Sequence, residues 1–270
     1  MVSNMVKIMI DPGHGGTDRS NRGPTGYIEA DGVLDISLKL RDELLSTGAF
    51  DVKLSRDKDM TLGVRERGNM AAKWGADMFI SEHSNATCWA NNTTKRGVDV
   101  FYSVDIPNDK VFANNMSKAV SEAMGTKNNG GYTWESKNYP GEDYLGVIDA
   151  AQDGGVKHVI LIESGFHDNL QDEAILKDPA KRLAIAKAQA KVICEFYGVK
   201  YPVTTTTSIT PDTTTSSKIT VEYEGQKVTT TVDPIIIDGR TMICARDLAD
   251  AMGLDIGWDA ATRTVSLSKK

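Results

Sequence analysis

Two histidines and several acids lie where apolar strands run out, a pattern suited to holding a metal and moving a proton. Asp11-Pro12-Gly13-His14-Gly15-Gly16 follows the apolar run Val6–Ile10, so His14 lies on a strand-exit loop with little side-chain crowding. Phe79-Ile80-Ser81-Glu82-His83-Ser84-Asn85 places a second imidazole, His83, at the end of another apolar strand. Leu161-Ile162-Glu163-Ser164-Gly165-Phe166 ends a third apolar run with a carboxylate. In open α/β sheets, sites gather at the carboxyl ends of strands. Catalytic zinc takes three nitrogen or oxygen ligands and keeps one position for water. Two histidines and one carboxylate meet that need, and a further carboxylate must serve as general base. Glu29, Glu82 and Glu163 are the acids available near these loops, and periodicity does not assign their roles. The glycine-rich loop around His14 also admits two other readings, a backbone anion cradle or a plain turn. It lacks the Lys-Ser/Thr of a nucleotide P-loop.

Delivering these side chains to one place requires alternating strands and helices. Strands are expected at Val6–Ile10, Phe50–Leu54, Asp77–Glu82, Gly97–Tyr102 and His158–Ile162. Helices are expected over Leu34–Leu45, closed by Gly48, and over Val64–Trp74, Val111–Met124 and Pro179–Tyr197. This alternation predicts an α/β fold, with a mixed, mostly parallel twisted sheet flanked by helices. The Thr/Ser/Pro-rich stretch 199–217 has no apolar periodicity and reads as a linker between a first domain, 1–198, and a second, 218–270. The second domain reads as a small α+β module. Its strands are expected at Ile219–Tyr223 and Val228–Val232 around a turn at Glu224–Lys227. A helix over Met242–Met252 and a closing hairpin from Asp255–Asp259 and Thr264–Leu267 complete it.

The 270 residues are 40% apolar and 25% charged, ordinary for a globular protein, with no apolar run long enough to span a membrane. The net charge of -6 and the absence of a Lys/Arg cluster argue against a nucleic-acid partner. Cys88, Cys194 and Cys244 are widely spaced and are expected to be reduced thiols. The first residues, Met1–Lys7, carry no signal-peptide pattern, which predicts synthesis in the cytoplasm. Nothing in the sequence fixes an oligomeric state.

The segments Asp11–Gly16, Ser81–Asn85 and Leu161–Asn169, in this order, resemble the zinc-dependent N-acetylmuramoyl-L-alanine amidases of the type-3 family, found in bacterial autolysins and phage endolysins. The resemblance runs over about residues 5–198. It implies a Zn2+ ion held by His14, by Glu29 just ahead of the first long helix, and by His83 of the Ser-x-His-x-Asn motif. It also implies Glu163 of the Glu-x-Gly-Phe motif as the catalytic acid/base. The implied partner is bacterial peptidoglycan, cut between N-acetylmuramic acid and L-alanine. A zinc peptidase acting within the stem peptide and a non-catalytic wall-binding protein are the alternatives. With no signal peptide, a phage endolysin released through a holin fits better than an exported autolysin. Arg67 matches the family's helix arginine and is expected to tether the site. Asn85, His167 and Tyr132 are expected along the substrate groove, Tyr132 with Trp134 and Tyr144 as packing surfaces or as loop anchors. The chain departs from the family's habit at Glu82, where an apolar residue is usual, and at Ala71-Ala72, where the second is usually Asn. Strand alternation should turn Glu82 away from His83, as a solvated or paired acid. His158 is expected to be structural. Segments such as Ala245–Ala249 and Gly257-Trp258-Asp259 resemble the copper amine oxidase N-terminal-like repeats of clostridial surface proteins. That resemblance implies a wall-attachment module without copper, since residues 218–270 contain no histidine.

Overall fold

The computed structural model describes residues 5–87, 92–201, 220–231, 233–237, 240–259 and 264–269. Cys88, and the expected linker from residue 202 onward, lie outside them. Chain contacts divide the protein into two compact units, within 1–202 and 203–270.

The first unit is built on six strands: β1 Val6–Pro12, β2 Phe50–Leu54, β3 Met78–Asn85, β4 Val98–Tyr102, β5 Asn128–Tyr132 and β6 His158–Phe166. Their spatial order is β2-β1-β3-β6-β4-β5. The β1–β2, β1–β3, β3–β6 and β4–β5 pairs are parallel, and β4 runs antiparallel to β6. The mixed, mostly parallel sheet is therefore as the alternation predicted. Central strands buried on both faces read as unbroken apolar runs, and β3 and β6 do so until polar residues take over at their ends.

Among the described residues, six α-helices flank the sheet: α1 Glu29–Ser46, α2 Val64–Trp74, α3 Lys110–Met124, α4 Gly146–Asp153, α5 Leu170–Lys177 and α6 Pro179–Phe196. On one face, Ile8, Ile10, Met78, Ile80, Ile160 and Ile162 pack with Ile36, Leu40, Met116, Val120, Ile185 and Ile193 from α1, α3 and α6. On the other, Met9, Phe79, Phe101, Val159 and Leu161 pack with Ala71 of α2 and Val147, Ile148 and Ala151 of α4. Helices α2 and α4 meet closely because Gly68 has no side chain. A β-carbon there would lie 2.6 Å from the Val147 carbonyl oxygen and the Ala151 nitrogen. Fully burying one such aliphatic side chain stabilises the fold by about 1.5–3 kcal/mol, so these two layers carry most of its stability.

Three elements were not anticipated. Strand β5 is an Asn-Asn-Gly-Gly-Tyr edge strand, whose composition conceals the ladder it makes with β4. Helices α4 and α5 have eight residues each, too few for a clear 3.6-residue period. Helix α1 also begins five residues earlier than the Leu34 start expected. Its first turn carries Glu29 and Asp31, whose charges suit a helix N-terminus but interrupt the apolar pattern.

In the second unit, β7 Glu222–Tyr223 and β8 Gln226–Lys227 form a hairpin around Glu224-Gly225, tighter than the expected one. Strands β9 Ile235–Ile237 and β10 Arg240–Met242 form a second hairpin that was not anticipated. Helix α7 spans Ala245–Ala251, and β11 Leu254–Asp259 pairs with β12 Thr264–Lys269 as the closing hairpin. Asp247 of α7 is buried and accepts hydrogen bonds from the Thr231 nitrogen and hydroxyl, tying the helix to the chain ahead of it. The side chain of Trp258 lies outside the described residues.

Candidate metal centre and its acid

His14 follows β1 in a loop held from beneath by two buried arginines. Arg67 of α2 donates to Asp11 Oδ1 at 2.9 Å and to the carbonyl oxygens of Pro12 and His14, each at 2.7 Å. Arg56 donates to the carbonyl oxygens of Pro12, Gly13 and Ala30 at 2.7–2.9 Å. Asp11 also accepts from Ser81 Oγ at 2.8 Å and from Ser55. Arg67 thus ties the loop to α2, and Arg56, which carried no sequence signal, holds it from a second side. Between them the two guanidiniums satisfy the carbonyl oxygens of the loop itself and reach Lys58 and Leu62 beyond it. His14 itself has φ 58°, a left-handed conformation costly for a non-glycine residue, which the surrounding bonds hold in place.

His83 arrives from β3 and Glu29 from the first turn of α1. Glu29 Oε2 lies 3.2 Å from His14 Nε2, and Glu29 Oε1 lies 3.2 Å from His83 Nδ1. Candidate ligand atoms of the three residues all fall within 4.8 Å of one another. The two imidazole rings stand edge to face with centroids 4.9 Å apart. Glu29 is buried, and it accepts from the Ser84 nitrogen at 2.8 Å and from Asn21 Nδ2 at 2.9 Å. Burial alone would raise its carboxyl, but the two imidazoles hold it well below the usual carboxylate range. Burial likewise opposes charge on His14, yet Glu29 and Asp18 prevail and raise it. Asp18 Oδ2 lies 2.7 Å from His14 Nδ1, orienting the ring so that Nε2 faces Glu29. Asn21 and Asp18 carried no expectation, although an acid four residues beyond a loop histidine is a readable cue.

Glu163 comes from β6. It is the register partner of His83 across the parallel pair and of Asp99 across the antiparallel one, so all three share a sheet face. Its Oε2 is enclosed without a hydrogen-bond partner among the described residues. Burial, then the charges of Glu29 and Asp99, raise its carboxyl well above the usual range. A half-buried carboxyl with one enclosed oxygen, beside a cluster that could hold a metal, is a group placed to exchange a proton. Glu82, by contrast, faces the other side of the sheet as alternation required. It is fully buried rather than solvated, and Oε2 accepts from Gln189 Nε2 of α6 at 3.0 Å.

The remaining residues are placed as follows. Asn85 donates to Asp99 Oδ2 at 2.9 Å, and the Tyr132 hydroxyl bonds Asp99 Oδ1, so both border the face that carries Glu163. Trp134 stacks on Tyr144 with centroids 4.3 Å apart, and both rings are exposed. His167 does not lie open along a groove. It is 3% exposed, with Nδ1 2.8 Å from the Ser84 carbonyl oxygen and 3.9 Å from Glu29 Oε2, and so buttresses the ligand set from behind. His158 is structural, its Nδ1 2.8 Å from Asp109 Oδ1.

The N-acetylmuramoyl-L-alanine amidase family matches residues 8–195, and the copper amine oxidase N-terminal domain family matches residues 189–270. N-acetylmuramoyl-L-alanine amidase CwlM of Bacillus licheniformis is 30% identical over 221 residues, covering 72% of this chain and 70% of the relative. An endolysin of Bacillus phage SPP1 is 29% identical over 195 residues, covering 72% of this chain and 66% of the relative. Several other amidase relatives are matched over a third of their length or less. Among solved structures, the catalytic domain of the amidase CwlV from Paenibacillus polymyxa superposes with a TM-score of 0.63. It is 26% identical and covers 73% of this chain and all of that domain.

Proposed function

The chain belongs to the N-acetylmuramoyl-L-alanine amidase family, and from that membership we propose a zinc hydrolase that releases the stem peptide from bacterial peptidoglycan. The bond cut joins the lactyl carbonyl of N-acetylmuramic acid to the nitrogen of L-alanine. The observation that carries the reading is the convergence of His14, Glu29 and His83 on the sheet face where Glu163 stands unpartnered.

The donor set fits zinc. Two imidazoles and one carboxylate are the nitrogen and oxygen donors that catalytic zinc takes, and one such atom from each of His14, Glu29 and His83 lies within 4.8 Å of the others. Bound there, zinc supplies Lewis-acid polarisation of the carbonyl and a water acidic enough to be deprotonated near neutral pH. The chain's own residues do the rest. His14 and His83 present ring nitrogens whose orientation is set by Asp18 and by the strand. Glu163 takes a proton from the attacking water and hands it to the leaving nitrogen. Arg56 and Arg67 hold the loop and take no part in the chemistry.

The second unit we assign to wall attachment. It contains no histidine and matches a domain family distinct from the catalytic one. Tethering through residues 199–217 raises the concentration of the catalytic unit at an insoluble substrate. Similarity to a phage endolysin supports the endolysin reading, and release through a holin is part of what we propose. Mass spectrometry of digested peptidoglycan, with and without a chelator, tests the activity. New L-alanine amino termini and free lactyl carboxyls, both lost on chelation, are expected. Cleavage inside the stem peptide would instead make the chain a peptidase, and a purified protein free of zinc would remove the metal from the proposal.

A further inference from the structure

Beside Glu163 the sheet opens into a groove of about 380 Å3 whose lining includes Asn85, Lys95, Arg96, Asp99, Lys127 and Tyr132. It borders the strand that carries Glu163, because Asp99 of its lining is the register partner of Glu163. Its charge runs against that of the molecule. The whole chain has a net charge of -6, yet the charged residues lining the groove are three basic and one acidic. The acid is already committed, with Asp99 accepting from Asn85 on one oxygen and from Tyr132 on the other. Arg96 is committed as well, its guanidinium donating to Asp172 at 2.9 and 3.1 Å and to Gln171. Lys95 and Lys127 are both exposed, and among the described residues neither has an ion-pair partner. The lining therefore includes two exposed lysines with no ion-pair partner among the described residues, in a groove that also holds Asp99, the register partner of Glu163.

The two halves of the proposed substrate differ in charge. The glycan is neutral once the lactyl carboxyl is tied up in the scissile amide. The stem peptide carries free carboxylates beyond its L-alanine. We propose that this groove is a peptide subsite in which Lys95 and Lys127 bind a free carboxylate on the residue that follows L-alanine. The enzyme thereby discriminates between stem peptides with a carboxylate there and those with a carboxamide. The inference rests on the amidase reading and adds the recognition element to it. A charge-assisted hydrogen bond is stronger than a neutral one, and two ammonium groups favour an anion over its amide.

The test compares the zinc-loaded full chain on muramoyl-L-alanyl-γ-D-glutamyl-L-lysine and on muramoyl-L-alanyl-D-isoglutaminyl-L-lysine, in which the γ-carboxyl is tied up in the next peptide bond and only the α-carboxyl differs. A kcat/KM roughly tenfold higher for the acid is expected, shrinking as salt is raised. In a Lys95→Met, Lys127→Met double variant the two rates should converge to within about twofold, chiefly through KM. A melting temperature close to that of the parent establishes that this variant is folded. Equal rates in the parent chain, or a preference that survives in the double variant, would overturn the subsite while leaving the amidase reading intact. Cleavage of neither substrate would overturn both.

Discussion

Gly13 lies against the imidazole of His83, so close that a β-carbon at position 13 would come within 2.3 Å of Cε1 and 2.4 Å of Nε2. The β1 loop and the β3 ligand are thus fitted face to face, and the missing side chain at 13 is what lets the second histidine stand where it does. Gly13→Ala should displace His83 rather than unfold the protein, because the ring is partly exposed and can swing aside. Zinc content after gel filtration should fall well below one per chain. Wall lysis should fall with it, while circular dichroism stays near that of the parent. Full zinc occupancy in Gly13→Ala would refute this fit.

Glu163→Gln separates binding from turnover. The amide keeps the shape of the carboxyl but exchanges no proton. Zinc content should remain at the parental level, and release of L-alanine amino termini should fall by about 100-fold or more, the scale of a lost general base. A variant within tenfold of the parent would show that another group moves the proton.

Glu82→Gln tests a group with no part in the chemistry. Burial pushes the Glu82 carboxyl up to about 8 against a usual 4.5, partly opposed by the Gln189 hydrogen bond, with Asp11 adding to the rise. The folded chain therefore holds a proton that the unfolded chain gives up. Stability from this group is present below pH 4.5 and is lost as pH rises through about 8. A tenfold difference in proton affinity between folded and unfolded chain is worth about 1.4 kcal/mol, so the loss amounts to a few kcal/mol. Denaturant melts at pH 5 and pH 8 should show a smaller fall for Glu82→Gln than for the parent. Parallel falls in both proteins would contradict the buried proton.

Arg67→Met removes a guanidinium that holds Asp11 and two loop carbonyl oxygens. Breaking a buried ion pair by deleting one partner costs about 3–5 kcal/mol. Asp11 retains Ser55 and Ser81, so the lower end of that range is expected. Chemical denaturation should register the loss, and zinc affinity should weaken alongside it. An unchanged denaturation midpoint would show that Arg56 alone secures the loop.

Ending the chain at residue 202 leaves a unit with its own two-layered core. Hydrolysis of a small soluble muramoyl peptide should be unaffected, whereas co-sedimentation with purified walls should drop. Equal sedimentation of the two forms would remove the attachment role from the second unit.

The strands that carry the chemistry were legible because buried strands announce themselves by composition. Val6–Ile10, Phe79–Ile80 and Val159–Ile162 stand out, and His14, His83 and Glu163 follow from where those runs end. Glu29 was different. It is brought beside His83 by a helix start 54 residues away in sequence, a relation no periodicity contains, and only the family resemblance pointed to it. The supports were the least visible part. Arg56 looks like any loop arginine until the fold buries it against carbonyl oxygens from two segments. His167 reads as a loop residue but is enclosed by the turn after β6. Strand β5 was hidden by its glycines, although its Tyr132 completes the wall beside Glu163.

The clamp of Arg56 and Arg67 on the His14 loop also bears on when the ion arrives. The loop that presents His14 is anchored by protein groups alone, so its shape does not depend on the metal. The polypeptide can complete its folding as an apoprotein and be charged later, with little conformational entropy left to lose at that step.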